Sequence, residues 1–419
     1  HDVSVVSGDG QGAVGIDFRI CPAMGFHDDA TVRGFDYGIR SLPYHMTHNS
    51  FEFVTLENQN KAGIRVGECS VSIRKLQSKN RAPAAQLATR SGQIVMLDSR
   101  LEGGNAHAAA IEAPHGQLFV RNVETSGYVT AIRAGGESAI DTSSVGEFVT
   151  GPVLSLREGQ TLRSLNLPIE ETPRFDWPAD FSRWANVDDY GARGDGQSDD
   201  SAAVQAAFDS GKPVVYFPKA VYWMKKPVSI PASVVRVMAF YGSVNGQLLV
   251  AEDSPQPLLI EDIGTSSRTG VRHQAPRTLV LSHVRCGYSN QNRQPGAKLF
   301  LNNGNGMGKN DRVFVNGRVW VRIMNTEWKQ TPNFTCNRSD MWVFGYKVEG
   351  HMTNFESING GRLEVLGGIC NEHGHAVAPE TPILRNVDSS LCYVGYTNGP
   401  NRFETIAEET IDGKTKRLM

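Results

Sequence analysis

No run of apolar residues in these 419 approaches the ~20 that a membrane-spanning helix needs, and no basic segment followed by an apolar core opens the chain at His1. The first residue is not Met, so the sequence reads as one that begins after processing or partway through a longer chain. Cysteine is scarce. The six present (Cys21, Cys69, Cys286, Cys336, Cys370, Cys392) lie far apart with no C-x-x-C pair, which removes a zinc ribbon or thioredoxin-type site and leaves mainly free, buried thiols. An excess of one charge is also lacking: Lys+Arg 42 against Asp+Glu 44 leaves −2, so neither nucleic acid nor an anionic membrane is expected as a partner. A phosphate loop is absent too, since Gly194-Asp195-Gly196 lacks the G-x-x-x-x-G-K-[ST] pattern and is followed by Asp199 and Asp200, which repel phosphate.

What the chain has in plenty is glycine, 43 residues, punctuating short alternating apolar and polar runs. Segments 53–58, 71–76, 92–98 and 116–122 alternate as strands with one face inside, and Leu56, Leu76, Leu97 and Leu118 follow one another at 20, 21 and 21 residues. A period of ~20–25 residues of β-type segments without helices is the pattern of a solenoid; a β-sandwich would space its strands at ~8–12 residues with hairpin turns. Residues 1–164 are therefore expected to form a first parallel β-helix. Pro168, Pro173 and Pro178 then mark 165–184 as an extended linker, and 185–419 as a second β-helix. In 199–208, Asp199 or Asp200 is placed to cap a helix starting near Ser201, with Val204, Ala207 and Phe208 on one face. A short amphipathic helix there would cover the apolar end of the first coil.

The run NVDDYGARGDGQSDDSAAVQAAFDSGKPVVYFP, residues 186–218, resembles the opening motif of the pectate-lyase-like superfamily of right-handed parallel β-helices. Its place in mid-chain, after an earlier β-helix, resembles the tandem architecture of glycoside hydrolase family 55, of exo-β-1,3-glucanase type. The strings VWVRIMNTEW, MWVFGYKVEG and LEVLGG look like recurrent coils of family-55-like proteins. The fold class implied is all-β: two tandem right-handed parallel β-helices with a short capping helix at the start of the second. No matching cap motif precedes the first helix, because Gly8-Asp9-Gly10 is followed by neither an Asp pair nor a helical pattern, so an N-terminal stretch is expected to be missing. The resemblance implies a carbohydrate-active enzyme working in a cleft between the two helices. It implies no cofactor, and a secreted or periplasmic bacterial location that follows from the substrate class alone.

The second half gives the sharpest internal alignment. Trp320-Val321-Arg322 and Trp342-Val343-Phe344 are offset by 22, as are Glu327 and Glu349, and Glu364-Val365-Leu366-Gly367 lies 22 beyond Trp342. Residues one period apart stack in a solenoid, so Glu327 and Glu349 are expected as neighbours on adjacent coils, with Asn371 beneath and Glu372 one residue off. Two carboxylates ~5 Å apart raise each other's proton affinity, which keeps one available as a general acid, and glycoside hydrolysis uses such an acid with a second carboxylate or a held water. Glu327, Glu349 and Glu372 are the catalytic candidates; a Glu beside Lys347 or Arg322 also fits a plain solvated ion pair. Trp328 is the sugar-stacking candidate, and Arg322, Lys347, Gln77 and Asn58 are candidate substrate contacts. His351, His373 and His375 fall at nearby turns, but no carboxylate motif completes a metal set.

Three function classes follow. The first is a glycoside hydrolase acting on a polysaccharide such as a β-1,3-glucan by acid-assisted, inverting hydrolysis. The second is a lyase on a uronate polymer, with Lys347, Arg322 or His351 as base. The third is a glycan-binding or structural β-helix without catalysis. A polysaccharide or oligosaccharide is the expected partner in the enzyme classes, and nothing in the sequence fixes an oligomeric state.

Overall fold

The computed structural model describes residues 3–19, 24–42, 47–135, 137–157, 162–177, 179–264, 269–290, 296–305, 312–326, 332–349, 352–371, 377–398 and 403–419. It is a parallel β-solenoid of about 16 turns, arranged as two tandem parallel β-helices. The first is built on two parallel sheets. In one, Met24–Asp28, His48–Glu52, Ser70–Arg74, Gln93–Gly103 and Gln117–Ser126 stack in register, with Met24, His48, Ser70, Gln93 and Gln117 forming one column. In the other, Val14–Asp17, Tyr37–Ser41, Ala62–Val66, Ala85–Leu87, Ala109–Ala113 and Thr130–Ala134 do the same. Alternate residues such as Val71, Ile73, Ile94 and Met96 point inward and are fully buried, so each coil closes the core of its neighbour.

The alternation fixes the fold, but the leucine spacing does not mark equivalent positions. Leu56 stacks on Ser78, Leu97 on Arg74 and Arg121, and Leu118 on Ile94. Coil length varies, and the common marker is the corner instead. Asp29, Phe53 and Lys75, just past their strands, and Asp98 and Asn122, at the bends within 93–103 and 117–126, all adopt left-handed backbone, φ 48–54°. A non-glycine residue there is locally unfavourable and is held by the ladders on both sides.

The second β-helix opens with the strand Trp184–Asn186 and continues through Val214–Tyr216, Arg236–Met238, Leu258–Glu261, Leu279–Ser282, Ala297–Asn302, Gly317–Val321, Asp340–Val343 and Arg362–Asn371. The helix Ser201–Phe208 covers its open end, with Val204, Ala207 and Phe208 fully buried. Capping is divided between the two aspartates. Asp199 accepts from the Ser201 N–H at 3.1 Å, whereas Asp200 accepts from the N–H groups of Arg193 and Trp223 and ties the helix to the first coils. Cys69, Cys286, Cys336 and Cys370 are buried and Cys392 is partly buried, and none of these five is in a disulfide.

The two β-helices meet along their outward faces, where Val95, Leu97 and Phe119 pack against Phe300, Trp320, Trp342, Phe344 and Leu366. Glu52 accepts from Arg322 Nε at 2.7 Å. Two residues earlier on the same strand, Ser50 Oγ donates to the Phe344 carbonyl at 2.7 Å, and its column neighbour Ser72 donates to the Leu366 carbonyl at 3.1 Å. Two residues earlier again, His48 faces Gly345, and Ser70 Oγ accepts from the Gly368 N–H at 3.2 Å. Facing strands therefore run antiparallel across the junction. Gly345 (φ 140°) and Gly367 (φ 87°) allow the approach, because a Cβ at either would overlap His48, Ser50 or Ser72. This contact line leaves one flank on the side of Glu52 and another on the side of His48.

Within the segment expected as a linker, residues 165–176 pack as a strap along the Glu52 flank. Pro168 O accepts from Trp320 Nε1 at 3.1 Å, and Leu167 is buried. Arg74 donates to Glu52 at 2.6 Å and to both oxygens of Glu171, and Arg322 Nη2 donates to Glu170 O at 2.8 Å. Glu364 accepts from Arg121 at 2.9 and 3.3 Å and from the N–H groups of Asn166 and Leu167 at 2.7 and 3.3 Å. Ion pairs and backbone donors thus offset the charges that the junction buries, while Arg121 Nε and Arg322 Nη1 have no acceptor among the described residues.

Candidate functional site

On the His48 flank the chain turns at Gly345 into Tyr346–Glu349, which stacks between Met324–Thr326 and the end of Arg362–Asn371. Alternation puts Tyr346 and Val348 into the core and leaves Lys347 and Glu349 facing outward. The Lys347 ammonium touches the Glu349 carboxylate, and Glu349 pairs in register with Asn371. Asn325 lies one coil before Lys347 in the same column. The structure therefore brings a carboxylate, an ammonium and two amide residues to one wall of this flank.

Beside Gly345 and Gly368 the first β-helix carries a buried polar column that reaches the surface only at its last member. His48 Nδ1 lies 3.0 Å from Ser70 Oγ, Ser70 Oγ donates to Gln93 Oε1 at 2.8 Å, and Gln93 Nε2 donates to Gln117 Oε1 at 2.9 Å. These four residues begin four successive strands, so the chain of hydrogen bonds crosses four coils and ends at the exposed Gln117. Burial pushes the His48 imidazole down to about 3 from its ordinary 6.5, which keeps it neutral within the chain. None of these residues stood out in the sequence; aligning the strand starts H48NSFE, S70VSIR, Q93IVML and Q117LFVR would have shown the column.

This histidine gives a pH prediction. The unfolded chain takes up a proton near 6.5, whereas folded His48 stays neutral until about 3, so stability is lost as pH falls through that window. The loss attributable to His48 is about 1 kcal/mol per pH unit. In His48→Gln the melting temperature should fall less steeply than in wild type between neutral pH and pH ~4; parallel curves would show that His48 is protonated in the folded state.

The other expected site residues scatter. Glu327, Trp328 and Glu372, with His351, His373 and His375, lie outside the described residues; Glu327 directly follows Thr326, whose register partner is Val348. Arg322, expected as a substrate contact, is 1% exposed, bound to Glu52 and the strap, and sits near the rings of Phe300 and Trp342. It directly follows the strand Gly317–Val321, and its side chain points into the junction. Gln77 and Asn58 are exposed, but on the Glu52 flank, since both lie past the corners at Lys75 and Phe53. Trp320 and Trp342 stack in register inside the junction, and Tyr346 and Tyr393 are core residues in contact through their hydroxyls.

A second titratable group stands near the first coils. Burial pushes Glu261 up to about 7, with Arg236 3.1 Å away opposing the rise. Among the described residues no cluster of three or more His, Cys, Asp or Glu is placed to hold a metal.

Comparison with known proteins adds two findings. Residues 184–245 match the family described as rhamnogalacturonase A/epimerase, pectate lyase-like. A curated relative, the probable glucan endo-1,3-beta-glucosidase of Arthroderma benhamiae, is 25% identical over 219 residues. The match takes in 40% of this chain and 24% of that relative, so the chain corresponds to about a quarter of the relative's length.

Proposed function

We propose that this pectate-lyase-like parallel β-helix protein, a carbohydrate-active enzyme, is a glycoside hydrolase acting on a β-1,3-glucan or a similar polysaccharide in the His48 flank between its two β-helices. The observation that carries the reading is the wall of Glu349, Lys347 and Asn371 above the His48–Ser70–Gln93–Gln117 chain. Inverting hydrolysis needs one carboxyl group to protonate the leaving oxygen and a polar partner to direct water at the opposite face of the sugar. Glu349 supplies a carboxyl group from the wall, and Glu327, one repeat of 22 residues earlier, is its proposed partner. Gln117 presents an exposed amide for a hydroxyl or a water, held by the chain behind it.

The relative's name supports a glucan as substrate, and the rhamnogalacturonase description supports a uronate polymer as the second reading. The test is release of reducing sugar from β-1,3-glucan and from polygalacturonate, with ultraviolet absorbance of unsaturated uronates to detect a lyase. Glu349→Gln and Glu327→Gln should each lower the rate about 100-fold or more. Wild-type rates in both variants would remove the site, and unsaturated products would replace hydrolysis with elimination.

A further inference from the structure

The strap does not fill the Glu52 flank. Beside it lies a cavity of about 610 Å³, the size of a site for a small ligand, bounded by the first β-helix and by Asn166–Ile169 of the strap. It opens on the side of the junction opposite Glu349. Its rim carries Lys75, Gln77, Asp98, Arg100, Asn122 and Glu171, and its base carries the buried guanidiniums of Arg74 and Arg121.

We propose that this cavity is an accessory binding site for an uncharged pyranose residue of a polysaccharide chain, separate from the Glu349 flank. The ligand class rests on the carbohydrate reading above; the site rests on its own chemistry. With the partners behind the lining included, Arg74, Lys75, Arg100, Arg121 and Arg322 stand against Glu52, Asp98, Glu102, Glu171 and Glu364, so the site offers no net charge to select an acidic ligand. What it offers is donors next to acceptors. Gln77 and Arg100 are register neighbours, Asn122 Nδ2 donates to Asp98 at 3.1 Å, and Lys75 Nζ lies 3.1 Å from Glu171. A sugar hydroxyl both donates and accepts, and adjacent hydroxyls match such alternating groups, while Leu167, Pro168 and Ile169 give an apolar wall for the C–H face of a ring.

The groups are also held in place before a ligand arrives. Glu171 is fixed by Arg74 and Lys75, which outweigh the effect of burial and keep its carboxyl below the usual range. Arg100 is anchored through Nε to Glu102 at 2.6 Å, and Lys75 and Asn122 stand on left-handed corners. Arg121 is nine-tenths buried at the base of the cavity, and its Nε–H has no acceptor among the described residues. Fixed groups lose less conformational entropy on binding.

The test is hydrogen–deuterium exchange of the full chain carrying Glu349→Gln, with and without laminarihexaose, and in parallel with hexagalacturonate. The expected result is protection by laminarihexaose of backbone in 75–80, 98–104 and 164–171, with affinity at least tenfold weaker once Gln77→Ala and Arg100→Ala are added. Both residues are exposed, and circular dichroism checks that the variant folds. Protection confined to 345–371, or absent with both probes, overturns the site. Protection unchanged by the two substitutions overturns the assigned contacts, and protection by hexagalacturonate alone overturns the uncharged ligand class. Hydrolysis that survives Glu349→Gln would sink the proposed active site and leave this footprint untouched.

Discussion

Glu52→Gln should lower the unfolding free energy by about 3–5 kcal/mol, measured by urea denaturation. Glu52 is 1% exposed and accepts from Arg74 at 2.6 Å and Arg322 at 2.7 Å, one guanidinium from each β-helix. Without its charge, two arginines that are 1% exposed keep the half-exposed Glu171, Asp98 at 3.9 Å from Arg74, and the Glu170 carbonyl near them. Removing one partner of a buried pair costs more than the pair contributes, because the remaining charge stays desolvated. Replacing all three with apolar residues should therefore recover much of the loss. A Glu52→Gln midpoint within error of wild type would show that water reaches the cluster.

Glu364→Gln should cost about 3 kcal/mol and loosen the strap in the same step. Glu364 is fully buried and takes four hydrogen bonds, two from Arg121 and two from the N–H groups of Asn166 and Leu167. A neutral amide offers one acceptor oxygen, and its NH2 group would face donors. The expected readout is faster proteolysis within 164–176 together with a lower urea midpoint. A stability loss without faster cleavage of the strap would mean that Trp320 and the Glu171 ion pairs hold it without Glu364.

The two substitutions act on contacts of different legibility. Trp320, Trp342 and Glu364 were aligned from a shared offset of 22, and they do stack in register, because a rare residue followed by valine repeats at one coil length. The same offset carried Glu349 onto Asn371. The leucines of the first β-helix misled, because leucine serves inward positions at Leu56, Leu76 and Leu118 and the outward junction face at Leu97, and coil length varies there. Arg322 misled for another reason: an arginine beside a catalytic candidate reads as a ligand, and nothing within its own coil shows a carboxylate 270 residues earlier in the chain. Gln77 and Glu349 were expected in one cleft, whereas the antiparallel contact of the two faces puts them on opposite flanks.

The sequence by itself determined what depends on neighbours one coil apart. Alternation sets which side chains enter the core, and the cap motif sets where a second solenoid begins. The 22-residue offset sets which residues of the later coils stack. Only the tertiary structure decided how the outward faces meet, because that depends on shape and charge between surfaces remote in sequence. Gly345, Gly367 and Gly368 admit His48, Ser70 and Ser72, the Glu52 and Glu364 clusters neutralise what the junction buries, and the strap closes over one flank. A solenoid repeats along its axis with its nearest neighbours, so its coils are legible one at a time. The docking of two solenoids has no repeat to read.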